Sequence, residues 1–309
     1  MFQGMHYVYE VYKEMSFSKA ARNLFISQPS LSAAVKKAEA QIGFPIFDRS
    51  SNHIQLTELG KEYIRSIEII MDVENGFQNY INDIKELKSG TIAIGGTNLF
   101  ASYVLPPLLS RFTEQYPQVQ VNLVEATTSQ LTDRLFSGSL DLLIDNKSMD
   151  PAIYQKSFFC EEHLLLAVPI RLSVNEKMKN YALTASDIRE NRHLNSRIPP
   201  VPLENFQEES FLLLKSGNDT RTRADRICHN AHVIPKIKLE LDQQITAYNL
   251  SRYGMGISFC SDTLVRHVPD DEGLVYYKLN HQDALREVNF YYKRNRYMPR
   301  IVSTFLDMI

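Results

Sequence analysis

The 309-residue chain carries only three cysteines, Cys160, Cys228 and Cys260, and they lie far apart. Their number and spacing exclude a disulfide scaffold and fit a reducing compartment. Excess charge of either sign is also lacking, with 34 Lys and Arg against 36 Asp and Glu. A global positive field that would draw nucleic acid or an anionic membrane is thus excluded, and any polyanion-binding surface must be local. No uninterrupted apolar run approaches the ~18 residues of a membrane span. Residues 1–13 lack a basic head followed by an apolar core, so no secretory leader is expected. Internal repeats and low-complexity tracts are missing. So are a Gly-x-Ser-x-Gly elbow, a phosphate loop, a glycine-rich dinucleotide turn and a zinc-protease pair, which argues against an enzyme. What is present, 44% hydrophobic and 23% charged residues, describes a cytoplasmic protein of two or three domains that folds in water.

The first sixty residues read as short helices. Phe2, Met5, Val8, Tyr9 and Tyr12 recur at helical spacing, and Ser16 is suited to cap a second helix through Ala20, Ala21 and Leu24. A third helix opens at Ser27-Gln28-Pro29, where serine caps the free backbone donors and proline is tolerated in the first turn. At 100° per residue, Leu31, Ala34, Val35, Ala38 and Ile42 share one face, and Pro29, Ser32, Ala33 and Lys36 the opposite one. After Gly43, Phe47-Asp48-Arg49 and Ile54-Gln55-Leu56 alternate around a turn-rich tip, which predicts a small hairpin or wing.

Thr57 caps a long helix from Glu58 to about Leu87. Its apolar residues Leu59, Tyr63, Ile67, Ile70, Val73, Phe77, Tyr80, Ile84 and Leu87 recur at a mean of about 3.5 residues, the period of a helix that packs on a partner helix. From Ser89-Gly90 strands and helices alternate. Thr91–Gly95, Val119–Val124 and Leu140–Ile144 read as strands around helices at Ala101–Tyr116 and Ser129–Ser137, a βαβαβ run with a parallel sheet. A second run takes Leu164–Val168, Phe211–Leu214, Ile237–Leu241 and Gly256–Phe259 as strands, with helices at Thr220–Ala231 and Ile245–Tyr253.

Ser16-Phe17-Ser18-Lys19-Ala20-Ala21-Arg22, Leu24, Ser27-Gln28-Pro29-Ser30-Leu31-Ser32, Glu39, Gly43, Phe47-Asp48-Arg49 and Leu56-Thr57-Glu58-Leu59-Gly60 together resemble the N-terminal winged helix-turn-helix of LysR-type transcriptional regulators. The long helix and the two α/β runs extend that resemblance over essentially the whole chain. It implies an α/β architecture: a winged helix-turn-helix DNA-binding domain (1–58), a dimerising linker helix (59–88), and a two-lobed effector domain like a periplasmic binding protein. Its subdomain I is expected at 89–162 and 268–309, and subdomain II at 163–267. The resemblance also implies a homotetramer built as a dimer of dimers on promoter DNA, with RNA polymerase left open as a further partner, and a small-molecule effector that sets activity. The chain departs from the family in having Ala33 and Ala34 where similar proteins often carry Gln, and Ser51-Asn52-His53 where a Gly-Arg-Arg wing tip is common.

In a helix-turn-helix the second helix of the motif enters the major groove. Gln28 has the amide that pairs with adenine, Pro29 and Ala33 suit a thymine methyl, and Ser32 suits phosphate or base. Lys19, Arg22, Lys36, Lys37 and Arg49 are suited to phosphates. Ser27, Gln28, Pro29, Ser32, Ala33, Lys36, Arg49, Asn52 and His53 are therefore the expected DNA-binding set. Eight Lys or Arg stand against six acids over residues 1–65, so geometry and dimerisation must supply more of the affinity than bulk charge.

Crevices in open α/β sheets lie at strand-to-helix junctions, where helix N-termini attract anions. Thr97, Asn98, Thr128, Ser129, Ser216, Asn218 and Thr220 occupy three such junctions and form the expected effector set, for a small polar or anionic metabolite such as an organic anion. Taken singly, each is also an ordinary helix cap. Arg221 and Arg223 lie nearby as added charge or as solvated helix residues. Asp141 and Asp145 read as strand-end residues. No cofactor and no metal is expected. Cys228, His229 and His232, with Cys228 and His232 one turn apart, make an incomplete ligand set. Two alternatives remain: a small-molecule-binding protein or enzyme on the same lobes, and a metal- or thiol-responsive regulator.

Overall fold

The computed structural model describes residues 2–49, 54–84, 90–269 and 272–309. The chain divides into two compact units, one of Met1–Leu87, Asp133–Leu140 and Arg296–Pro299, the other of Lys88–Thr132, Asp141–Asn295 and Arg300–Ile309.

In the first unit, α1 (Met5–Glu14), α2 (Phe17–Asn23) and α3 (Gln28–Ile42) precede a hairpin of β1 (Phe47–Asp48) and β2 (Gln55–Leu56), and α4 (Glu58–Ile84) follows. The expected caps form: the Ser16 and Ser27 hydroxyls accept the backbone N–H groups of Lys19 and Ser30. Leu31, Val35 and Ala38 of α3 are buried with Val8, Val11, Ala20, Ile46 and Phe47 in one core. Gly60 is required where α4 leaves the wing, because a Cβ there would lie 2.1 Å from the Ile46 carbonyl oxygen. Thr57 clamps the same joint, accepting from the Gly60 N–H at 2.9 Å and donating to the Pro45 carbonyl at 2.8 Å.

The apolar stripe of α4 serves two purposes. Tyr63 and Ile67 are buried in the core of the head, and Ile70 is partly covered by it. Val73 and Phe77, farther along, are 68% and 65% exposed. Residues 85–87 of the expected helix lie outside the described residues.

The second unit is built on a mixed sheet of β3 (Gly90–Gly96), β4 (Val119–Glu125), β5 (Leu142–Asp145), β6 (Tyr154–Pro169), β7 (Ser210–Leu214), β8 (Lys236–Leu241), β9 (Ile257–Ser261), β10 (Leu274–Lys278) and β11 (Leu285–Lys293). Its order is β4-β3-β5-β11-β6-β9-β7-β8, with β10 also paired to β6. The β3–β4, β3–β5, β7–β8 and β7–β9 pairs are parallel, as two βαβ runs require. A π turn at Phe100–Val104 leads into α5 (Leu105–Gln115), and α6 (Thr128–Ser137) follows β4. Short helices α7 (Val174–Lys177) and α8 (Ala185–Arg189) fill the connection after β6; α9 (Asp219–Asn230), α10 (Gln244–Arg252), α11 (Asp262–His267) and α12 (Arg300–Met308) complete the set.

Three strands differ from the sequence expectation, β10 among them, since no strand is expected over Leu274–Lys278. β6 begins ten residues before Leu164, because its first half runs through half-buried and exposed positions, with Gln155, Lys156, Ser157 and Glu161 breaking the apolar run. β11, not anticipated, pairs antiparallel with both β5 and β6 and so joins the two halves of the sheet. β10 pairs antiparallel with residues 165–169 of β6, on the side of the sheet that carries β9 and β7, and β11 pairs with β5.

Candidate functional site

Helix α3 turns one face outward. Gln28, Pro29, Ala33 and Lys36 are exposed and Ser32 is half-exposed, while the opposite face is held in the core. Ser18 donates to the Gln28 Oε1 at 3.4 Å, which leaves the amide N–H groups available to a base edge. Ser27, whose hydroxyl accepts the Ser30 N–H and lies 2.7 Å from the Ser30 hydroxyl, has its side chain committed to the cap. Lys19, Arg22 and Lys37 are exposed on the same small domain.

Arg49 is engaged inside the wing. Its Nη2 donates to the Glu39 Oε2 at 3.0 Å, and its guanidinium lies 4.9 Å from the centre of the Phe17 ring. The other oxygen of Glu39 accepts the N–H groups of Ile46 and Phe47 at 3.0 and 3.2 Å. Glu39 and Arg49 therefore fix the wing strand against α3. Asn52 and His53 lie outside the described residues.

The second unit contains a cavity of about 330 Å³. Thr97, Leu99, Phe100, Thr128, Ser129 and Asp145 line it from the first half of the sheet; Ser216, Asn218, Thr220 and Gln244 line it from the second, and Arg286 from β11. Six of the seven expected effector residues thus come together. Asn98 does not line the cavity, because its amide turns to the Glu125 carboxylate at 2.8 Å, at the end of β4. Asn218 also caps α9, accepting the Thr220 N–H at 2.9 Å.

The charged residues of the cavity differ from those expected. Arg221 is bonded to Asp225 and Glu240, and Arg223 to Asp219, so neither offers a free charge. The buried cation is Arg286, whose Nε donates to Glu162 at 2.6 Å and whose Nη1 donates to Asp219 and Thr220 at 2.9 and 3.0 Å. Both carboxylates hold its guanidinium above the usual arginine range, although burial opposes them. Asp145 is more than a strand end. It is 2% exposed, accepts the Thr128 hydroxyl and the Lys147 N–H, each at 2.8 Å, and lines the cavity. Burial pushes its carboxyl above the ordinary range, against the pull of those hydrogen bonds and of Arg286. An apolar run ending in Asp-Asn, Leu142 to Asn146, was the available sequence signal. Arg286 had none, since β11 itself was not recognised. Asp141, by contrast, is structural, its carboxylate accepting the Ala93 N–H at 2.8 Å.

The thiols are poorly disposed to react. Burial, with the charges of Glu162 and Asp262, pushes Cys160 up to about 12, and burial with Asp225 pushes Cys228 to about 12. Thiolate, the reactive form, is scarce under those conditions. Cys228 faces the core whereas His229 and His232 are exposed, so these three do not converge. Among the described residues no helix is long and apolar enough to cross a membrane.

Known proteins match along the whole chain. Residues 2–61 match the bacterial regulatory helix-turn-helix protein model of the lysR family, and residues 85–309 the LysR substrate binding domain. The chain is 28% identical to the HTH-type transcriptional regulator YcgK of Bacillus subtilis (strain 168), over 98% of its own length and 92% of that protein. It is 24% identical to a probable RuBisCO transcriptional regulator of Gracilaria tenuistipitata var. liui, over 96% and 91% of the two chains. Among solved structures, a full-length OxyR variant from Pseudomonas aeruginosa gives a TM-score of 0.72 at 21% identity, covering 100% of this chain and 94% of that one. Full-length CbnR in complex with its target DNA gives 0.65 at 16% identity, covering 100% and 98%.

Proposed function

Because the chain belongs to the LysR family, and is thus a DNA-binding transcriptional regulator with an effector-binding domain rather than an enzyme, we propose that it reads promoter DNA with the outer face of α3 and answers to a small organic anion held in the cavity of its second unit. Gln28, Pro29, Ser32 and Ala33 read bases; Lys36 with Lys19, Arg22 and Lys37 anchors phosphates. Ser27 and Arg49 act indirectly, by fixing the helix start and the wing. Asn52 and His53 complete the proposed DNA-contact set.

One observation carries the effector assignment: two strand-to-helix junctions from opposite halves of the sheet, at Thr128-Ser129 and at Ser216 to Thr220, open into the same cavity. Helix N-terminal donors and hydroxyls suit a carboxylate without a buried countercharge. Asp145 accepts a hydroxyl or amine elsewhere on the same molecule. The effector binds one arrangement of the lobes better than another and so shifts the population between them.

We further propose a cytoplasmic homodimer through α4, assembled into a homotetramer, that acts on RNA polymerase at the promoter. The effector subdomains divide at β6 and β11. The test is a gel shift on the DNA upstream of its own gene, with and without a panel of small organic acids. Thr128→Ala and Ser129→Ala should shift or abolish the effector response, by ~1–3 kcal/mol for each lost hydrogen bond, while unliganded DNA binding stays intact. A wild-type dose response in both variants would overturn the cavity assignment.

A further inference from the structure

A second cluster lies in the same unit but away from the cavity lining. Antiparallel pairing of β6 with β9, with Leu164 opposite Ser261, carries His163 to the position facing Asp262 at the head of α11. His193 arrives from a 3-10 turn at Arg192–Leu194, which Asn191 starts in the left-handed conformation at φ 60°. His193 and Asp262 have side chains 1% and 2% exposed, and that of His163 is 29% exposed.

The Asp262 Oδ2 is crowded. His193 Nε2 and Arg266 Nη2 each lie 3.0 Å from it, and His163 Nδ1 lies 3.6 Å away. The other oxygen, Oδ1, accepts the His163 backbone N–H at 2.9 Å. Two of these nitrogens are within hydrogen-bonding distance and His163 Nδ1 stands just beyond it, so two imidazoles gather on one carboxylate oxygen, and the Nδ1 of the buried His193 has no hydrogen-bond partner among the described residues. Among the described residues, these are the His, Cys, Asp or Glu side chains that converge in threes, with one ligand atom of each within 4.8 Å of the others.

We propose that His163, His193 and Asp262 form a binding site for one divalent transition-metal cation of the zinc type. Ligand distances of about 2.0–2.1 Å in a tetrahedral site set neighbouring ligand atoms roughly 3.3 Å apart, and the observed 3.0 and 3.6 Å bracket that separation. Two imidazole nitrogens and one carboxylate oxygen suit zinc, cobalt, nickel or iron rather than calcium or magnesium. Arg266 and the His163 N–H then serve as outer hydrogen bonds that orient the carboxylate. Water takes the fourth position, on the side that His163 opens to solvent. The bound ion ties β6, the Arg192–Leu194 turn and α11 together.

The test uses full-length protein stripped with chelator and titrated with Co(II), followed by visible absorption. Saturation at one cobalt per chain, with displacement by Zn(II), is the expected result. His163→Asn, at the half-exposed ligand, should keep the wild-type circular dichroism and weaken cobalt binding at least ~10-fold; Asp262→Asn should do the same if it folds. Absence of a saturable spectrum overturns the site. So does binding that His163→Asn leaves unchanged, as binding at the exposed His229 and His232 would be. Either failure leaves the DNA and effector assignments untouched, because neither uses these residues.

Discussion

Arg286 and Glu162 face each other across the β6–β11 ladder, with the guanidinium Nε donating to the carboxylate at 2.6 Å and neither side chain more than 1% exposed. The pair is anchored at both ends, since Glu162 also accepts the Asn146 amide at 3.1 Å and Arg286 also reaches Asp219 at the start of α9. Residues from both halves of the sheet therefore meet on one buried ion pair at the edge of the cavity.

Removing one member of a buried pair leaves the other charge uncompensated, which costs about 3–5 kcal/mol. Glu162→Gln is expected near the lower end, because Asp219 stays bonded to Arg286. Equilibrium urea unfolding should show the loss, and the Glu162→Gln/Arg286→Met double variant should regain most of it. Additive losses in the double variant would show that the two side chains act independently.

Legibility in the sequence followed the strength of each local signal. The helix starts of the head were readable at Ser16, Ser27 and Thr57 because cap residues and helical spacing coincide there, each dictated by contacts close in sequence. The parallel strands β3, β5, β7 and β9 were readable as short apolar runs and β4 and β8 as apolar–polar alternation. β11 was not, since Arg286 and Asn289 interrupt its apolar residues and are buried only through partners as distant as Glu162. The cavity was half legible: hydroxyl and amide residues at junctions announce themselves, whereas Asp145 and Arg286 gain their roles only when β5 and β11 are adjacent. Nor could His163, His193 and Asp262 be grouped before the β6–β9 register was known.

Gly60 offers the sharpest stability test in the head. A methyl group at that position would meet backbone oxygen of Ile46 rather than a side chain that can swing away. Gly60→Ala should cost ~1–3 kcal/mol or more through this overlap, lowering the melting temperature and loosening the wing, and DNA affinity should fall with it. An alanine variant as stable as wild type would contradict the close approach of α4 to the wing.

Base and phosphate contacts on α3 separate by selectivity. Gln28→Ala is expected to relax preference at one base pair by ~1–3 kcal/mol. Lys36→Ala should instead weaken all sequences about equally and reduce the salt dependence of binding. Selection from a randomised operator library measures both, and an unchanged sequence preference for the Gln28 variant would exclude a base contact there.

The split stripe of α4 decides which residue reports on dimerisation. A charge at Ile70 would disturb the core of the head itself, so loss of the dimer in Ile70→Glu would be ambiguous. Phe77 is largely exposed, and Phe77→Glu places an unpaired charge in the proposed helix pair, a cost of several kcal/mol. Sedimentation at low micromolar concentration should show dissociation with the melting of the head unchanged. A Phe77→Glu chain that stays fully dimeric would rule out pairing through this face.

Asp145 gives the pH dependence of the effector unit a sign. Burial raises its carboxyl above the ordinary range, and the Lys147 N–H, the Thr128 hydroxyl and Arg286 offset this only in part. The folded state therefore holds the proton more tightly than the unfolded chain, whose carboxyl titrates near ~3.9. The stability this contributes is complete below that value and is lost as pH rises through the folded-state value. Above the folded-state value the ionised side chain is a liability, which Asp145→Asn removes. Its amide oxygen continues to accept the Lys147 N–H, and its amide nitrogen donates to the Thr128 hydroxyl, which turns to accept. Asp145→Asn should gain on wild type in melting temperature as pH is raised from 4 toward 8, with the gap closing again toward pH 4. Effector affinity should fall in the same variant if Asp145 accepts a hydrogen bond from the ligand. A variant that loses ground to wild type over that rise in pH would mean that the carboxylate is stabilised in its charged form after all.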